Sequence, residues 1–539
     1  MSVIITRELP PILTPEVREG DHRKDCCKIP ANLEYHEWGP GNTCLKCRWC
    51  GCRHFNMDLE PGKYGLKEMS PSLVYQAPSL PIEAPTGSTR LGLHVTAEEL
   101  AVWQDRMVNG PYKSDGDVSS NSPGDWDRIA SNAATFLSNP SAIRWTGQPG
   151  GSCWSALSNP PALPANRRTG ETLRDAAFYY LLTGDVDYRN AVTTELLGQA
   201  GEVGTDFTDS VRWDIGDSCA SGDSWSWEIT MWLRKLLYGY DYIRSDISSG
   251  DRTTLDTWFN DAATFWETNV HKTVIQRFPN RLTDDYTPPQ PFDVILAPVL
   301  THLGGHITSS FHEGWNNRSG SHLLFATLSG LVTGNTTLQA RGKRWFQEWV
   351  RFANFADGTN AEFNRWLPGA PTLGLRYSSV VIGEMIMMAD AFARTGDTSL
   401  YDYSTSLGYT GADPDLVAAG GPKTLRSIVT LWAQHMDGTI VRYGTDDAGN
   451  DGDPDYKIDS IDEIEGSATN ADTYLAPGNL FWQDAYIKSI YMRSAAGTPA
   501  YPATPASGGF GEWGGEWGAL PGVLFMFGQM EDDPANPFP

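Results

Sequence analysis

From about residue 95 onward the chain is a succession of helix-period segments whose junctions repeat, and this restricts the possible folds more than any other feature. Apolar residues recur at spacings of three and four over 96–108, 125–137, 170–182, 188–197, 225–243, 253–268, 321–332, 337–355, 374–394, 424–435 and 479–493. Thr96 with Glu99 three positions on is a capping-box start. Three junctions share one signature: Thr183-Gly184-Asp185, Thr333-Gly334-Asn335 and Thr395-Gly396-Asp397. Each follows an apolar helix and is expected to precede another. Glycine takes the left-handed conformation that ends a helix, and Asp or Asn caps the next. Such hairpins predict antiparallel helix pairs. Their uneven spacing argues against an open solenoid of fixed period. The long irregular stretches at 110–124 and 199–222 point to a closed helical barrel with functional loops on one rim. An ordinary multi-helix domain is the plainer alternative. Strand alternation is scarce.

The N-terminal part has a different composition. Six of the eight cysteines lie between residues 26 and 52: Cys26, Cys27, Cys44, Cys47, Cys50 and Cys52, with His22, His36 and His54 in or beside them. Thiolates this close can converge on one soft cation, and tetrahedral zinc is the usual occupant. No basic start and apolar core of an export signal is visible at the N-terminus, and in that setting metal is favoured over disulfides. A disulfide knot formed after release is the competing reading. Zinc would be structural, since a segment this short lacks its own core. Prolines at 71, 78, 81 and 85 then predict an extended arm. The expected organisation is a Cys-rich anchor over 1–69, a Pro-rich arm over 70–94 and a helical body over 95–539.

Charge excludes some partners. With 41 Lys and Arg against 66 Asp and Glu, the net charge of −25 argues against nucleic acid, which needs basic surface. No apolar run is long enough to insert in a bilayer.

The chemistry-bearing stretch is Phe311-His-Glu-Gly-Trp-Asn-Asn-Arg-Ser-Gly-Ser-His322, followed by a helix. Asp357-Gly358, Glu362-Phe363-Asn364-Arg365 and Leu375-Arg376-Tyr377 come after it. Over about 311–400 this order resembles the α/α-toroid alginate lyases and, more distantly, heparinase II/III-like lyases. In the alginate lyases an Asn-Asn-His-Ser motif opens a helix, the next helix ends in an acidic-Gly and Glu-Leu-x-Arg segment, and Leu-x-Tyr follows. Here Asn316-Asn317-Arg318-Ser319 fills the first motif, with Arg318 at the family's His. The gap between Arg365 and Tyr377 is longer than the family's. The resemblance implies a mainly α fold, an (α/α) toroid of antiparallel helix hairpins, and β-elimination on a uronate polymer.

Such a reaction needs the C6 carboxylate neutralised, a base at C5 and an acid at the departing O4. On the resemblance, Asn317 hydrogen-bonds the carboxylate and Arg365 adds a bidentate contact. Tyr377 serves as base, acid or both, with Arg376 or Arg318 lowering its pKa. His322, one turn beyond Arg318, is a candidate to replace the missing His, and His312 is a weaker one. Trp315 and Trp366, with Trp154, Trp213, Trp225 and Trp227, are candidate sugar-stacking positions. Each has a plainer reading: helix cap for Asn316-Asn317, ion pair with Glu362 or Glu384 for Arg365, core for Tyr377, His322 and the tryptophans. The acidic run 446–455 fails the calcium-loop spacing and reads as solvated loop. Paired carboxylates of an inverting glycoside hydrolase are a further alternative.

A lyase without an export signal suggests a bacteriophage virion protein, made in a host cytoplasm and released by lysis. The anchor and arm would then attach to virion proteins, and the toroid would face capsular or exopolysaccharide. The competing class is a catalytically degenerate toroid, a glycan-binding virion decoration. A polyanionic substrate also requires a locally basic cleft in this acidic chain.

Overall fold

A computed structural model of the chain describes residues 90–113, 125–145, 167–207, 222–265, 317–354, 373–405, 423–436, 442–443, 457–458, 474–495 and 520–538. They are mainly helical. In chain order the helices are α1 (Ala97–Asn109), α2 (Asp125–Ser138), α3 (Arg167–Thr183), α4 (Val186–Ala200), α5 (Gly222–Ile243), α6 (Ser249–Phe265) and α7 (Asn317–Thr333). They continue as α8 (Thr336–Glu348), α9 (Leu373–Ala393), α10 (Leu425–Met436), α11 (Leu475–Trp482), α12 (Ala485–Ala495) and α13 (Val523–Phe527). Two short antiparallel pairs complete the elements, β1 (Arg90–Gly92) with β2 (Val95–Thr96) and β3 (Arg442–Tyr443) with β4 (Lys457–Ile458). Among the described residues no helix is long and apolar enough to cross a membrane.

Helix neighbours trace a closed circuit. α3 packs on α5, α5 on α7, α7 on α9, α9 on α11 and α11 on α13, and α13 returns to α1 and α2, both of which touch α3. Outside this ring α4 lies on α3 and α5, α6 and α8 on α7, α10 on α9, and α12 on α11. The sequence dictates the division. Every described position of α5 from Ile229 to Ile243, of α9 from Val380 to its end, and of α11 and α13 is buried. A helix apolar on all sides must be enclosed by others. The outer helices keep one polar face: α4 buries Val192, Leu196 and Gln199 and exposes Val186 and Asp187.

The inner helices run parallel, because their contacts advance in step. On α3 and α5, Glu171 meets Lys235 and Phe178 meets the Tyr242 ring at 5.2 Å. On α9 and α11, Gly383 faces Tyr474 and Ile386 faces Gly478. Parallel inner helices bring all their N-terminal ends to one rim. Connections differ between rims accordingly. The chain leaves α3, α7 and α11 through tight turns, Gly184-Asp185, Gly334-Asn335 and Gln483-Asp484, and α9 through the longer stretch 394–424. It enters α5, α7, α9 and α11 through the long stretches 201–221, 266–316, 354–372 and 437–474.

The expected caps are present. Thr96 and Glu99 form the capping box of α1. Gly184, Gly334 and Gly396 all take positive φ, and Asp185 and Asn335 cap α4 and α8. Three expectations change. The segment read as one helix over 479–493 divides at Gln483, which is left-handed, after which Asp484 caps α12 through the Tyr486 and Ile487 amides. The third Thr-Gly junction leads into a single 3-10 turn, Thr398–Leu400, although Asp397 accepts the Ser399 amide as Asp185 and Asn335 accept the amides two residues on. The segment read as helical to 355 stops at Glu348 and widens into a π turn, Trp349–Ala353. Helix α13 is also too short for a periodicity signal.

At the rim holding the C-terminal ends of the inner helices, the β1–β2 strap is fastened by a fully buried polar network. His94 Nδ1 lies 2.6 Å from Asp390 Oδ2 of α9, and its Nε2 lies 3.0 Å from Tyr238 of α5. Arg394 bridges Asp390 at 2.7 Å and Glu99 of α1 at 2.8 Å.

Candidate active site

The opposite rim gathers polar side chains from most of the inner helices. His322 of α7 is buried, its Nδ1 2.6 Å from Thr230 Oγ1 of α5. Ser321, one residue earlier, donates to Glu384 of α9, and Arg234 of α5 pairs with the same carboxylate at 3.0 Å. Gly320 allows this approach, since a Cβ there would overlap the Glu384 carboxylate. One helix further round, Lys235 bonds Glu171 at 2.8 Å, and Arg174 leans on Asp175, which also accepts from Asn132 of α2 at 2.7 Å. Arg128 of α2 donates to the Pro521 carbonyl ahead of α13. The start of α7 is thereby tied to the middle of α5 and of α9, with α2, α3 and the approach to α13 beside them.

Electrostatically this cluster interleaves cations with carboxylates. Burial raises the Tyr474 hydroxyl, and the Arg174, Arg234 and Arg128 guanidiniums oppose that shift from three helices. Burial would also raise Glu171, but Lys235 and Arg174 outweigh it and hold the carboxyl below its usual range. The positive ends of the inner-helix dipoles point the same way as this cluster. The cations Arg128, Arg174, Arg234 and Lys235 are matched here by the carboxylates of Asp175, Glu384 and Glu171, so the described cluster is close to charge balance.

Asn317 and Arg318 are the first two residues of α7, and Arg376 and Tyr377 lie in the opening turns of α9. α7 and α9 are neighbours in the ring, so the backbone brings both motifs to one rim. The side chains of these four fall outside the described residues, as do Arg365, Trp315, Trp366, His312, Trp154 and Trp213 and the side chains of Trp225 and Trp227. His322 is the one candidate whose side chain is described, and it is engaged by Thr230 inside the ring. Glu384 pairs with Arg234 and Ser321, and Arg365 lies outside the described residues. Cys26, Cys27, Cys44, Cys47, Cys50 and Cys52 lie outside the described residues, and among those described no group of His, Cys, Asp and Glu could hold a metal ion.

Sequence reasoning missed Thr230, Arg174, Arg234 and Tyr474. Arg234 did carry a signal: it interrupts the apolar run Met231-Trp-Leu-Arg-Lys-Leu-Leu237, where an ion needs a buried partner.

No family model matches the chain, and no curated protein does. Among solved structures, the chain is similar to alginate lyase A1-III in a His-to-Ala variant. The apo form gives 13% identity and a TM-score of 0.38, and the tetrasaccharide complex 13% and 0.37. Both matches span 71% of this chain and 91% of theirs. So distant a likeness assigns no residue and no activity.

Proposed function

We propose that this chain is a polysaccharide lyase that cleaves a uronate-containing capsular or exopolysaccharide by β-elimination. One observation carries the reading: the helices that hold Asn317-Arg318 and Arg376-Tyr377 in their opening turns stand side by side in the ring. Asn317 and Arg365 neutralise the C6 carboxylate, acidifying the C5 proton. Tyr377 removes that proton and returns one to O4. Arg318 stands where the resembling family has His and adds charge beside the carboxylate. His322, held by Thr230, orients the start of α7. Trp315 and Trp366 stack on sugar rings.

Incubation with uronate polymers tests this. Unsaturated ends should appear in the ultraviolet, and Tyr377→Phe should lose about 10²-fold or more in kcat. Release of reducing ends without the double bond would reject elimination. Arg318 favours a second reading, a degenerate toroid that binds glycan as a virion decoration, and retention on the polymer with no cleavage selects it.

The six cysteines of the anchor are proposed to hold structural zinc and to attach the body to a phage particle through the Pro-rich arm. Metal analysis of the whole chain and of a Cys44→Ser, Cys47→Ser variant tests the zinc. Recovery of the protein apart from any particle would count against the attachment.

A further inference from the structure

Outer helix α8 does not end as an α-helix. After Glu348 it widens into the π turn Trp349–Ala353 and leaves through Asn354, which is fully buried. Carbonyls at a helix end need donors from outside the helix. Here a side chain far along the sequence supplies them. Lys423, just ahead of α10, donates from Nζ to the Arg351 carbonyl and, at 2.9 Å, to the Asn354 carbonyl. Its own backbone is fixed by two hydrogen bonds to Thr405, at 2.8 and 3.1 Å. Asn354 Nδ2 adds a bond to the Trp349 carbonyl at 2.8 Å. Lys423 is 3% exposed, and its ammonium meets carbonyls with no carboxylate among the described residues. A buried charge without a counter-ion is a costly way to end a helix. What it secures is the place where the chain leaves, and π turns are frequent at functional sites.

The chain leaving Asn354 runs through 355–372, which contains Asp357 and Arg365, and returns as α9 with Arg376 and Tyr377 in its opening turns. We propose that Lys423 is a positioning residue: by fixing the Arg351 and Asn354 carbonyls it sets the point at which the chain leaves α8 on its way to α9, whose opening turns carry Arg376 and Tyr377. The clamp stands on its own geometry, and its catalytic meaning rests on the elimination reading above. Burial, reinforced by Arg351, lowers the Lys423 amine to about 7. Near neutrality the clamp therefore exchanges a charge-assisted bond pair for a weaker neutral one. Among the described residues, Arg351 and Glu348 from α8 and its π turn, with Tyr403, are the titratable groups around this exit.

Amide hydrogen exchange of the whole chain, corrected for intrinsic rates, tests the clamp. Lys423→Met should lose about tenfold in protection across 351–356. The natural chain should lose protection there from about pH 6 to about pH 9, and Lys423→Arg, which cannot deprotonate, should keep it throughout. On a uronate polymer Lys423→Met should lower kcat with KM little changed, and Lys423→Arg should restore it. Unchanged exchange in Lys423→Met overturns the clamp. If Lys423→Met unfolds, a Lys423→Arg chain that keeps the natural pH dependence overturns it equally. A natural chain that yields no unsaturated ends overturns the elimination reading, and the exchange result still decides the clamp.

Discussion

Asp241 sits buried near the C-terminal end of α5, with Oδ2 accepting the Leu93 amide at 2.7 Å, and burial lifts its carboxyl to about 6. The native state therefore holds its proton where the unfolded chain has released it. Stability falls as pH rises from about 4 through about 6, by up to about 3 kcal/mol. Asp241→Asn keeps an acceptor for Leu93 without the charge, so its unfolding free energy should be flat over that window and exceed the natural chain's above it. Asp241→Ala strands the buried Leu93 amide and should destabilise by about 1–3 kcal/mol at every pH. Denaturant melts at several pH values read both. Across the ring, Thr230→Val leaves His322 without its hydroxyl partner and should cost about 1–2 kcal/mol. The double change with His322→Phe should cost less than the two single changes added together.

At the scale of elements, the tight turns of one rim depend on glycine. Gly184 and Gly334 hold φ of +73° and +80° with nothing within 4 Å of where a Cβ would stand. Alanine there costs only backbone strain, so each Gly→Ala change should lower stability by about 1–2 kcal/mol and each Gly→Asn by less. Thermal melts of the four variants measure this. These turns were legible in the sequence because glycine and its Asp or Asn follower act locally, and helix periodicity was legible for the same reason. The division at Gln483 was not, since a left-handed glutamine leaves no compositional mark. Nor was the π turn after Glu348, which is held by a lysine 69 residues beyond Asn354. The site divides the same way. Asn317, Arg318, Arg376 and Tyr377 could be read as motifs at helix starts, whereas the Thr230–His322 and Arg234–Glu384 pairs join residues 92 and 150 positions apart, and only the closed ring brings them together.

For the whole molecule, ring closure concentrates cost in few residues. Arg394 is fully buried between Asp390 and Glu99, joining the last turn of α9 to the first of α1. Arg394→Met leaves two carboxylates buried without their cation and should destabilise by about 3–5 kcal/mol, measured by chemical denaturation.

Helix α13 is the last piece of that circuit. The Trp103 indole donates to the Met526 carbonyl at 2.6 Å, and Arg106 reaches the carbonyls of Leu524, Phe525 and Gly528. These bonds span more than 400 positions of sequence. During synthesis α1 therefore emerges from the ribosome long before its acceptors exist. The tryptophan and arginine it carries stay unmatched until the residues around 520–530 follow. A nascent chain stalled before residue 520 has an open seam between α11 and α1 however well its other helices have formed, and that seam is where a chaperone would find apolar surface to hold.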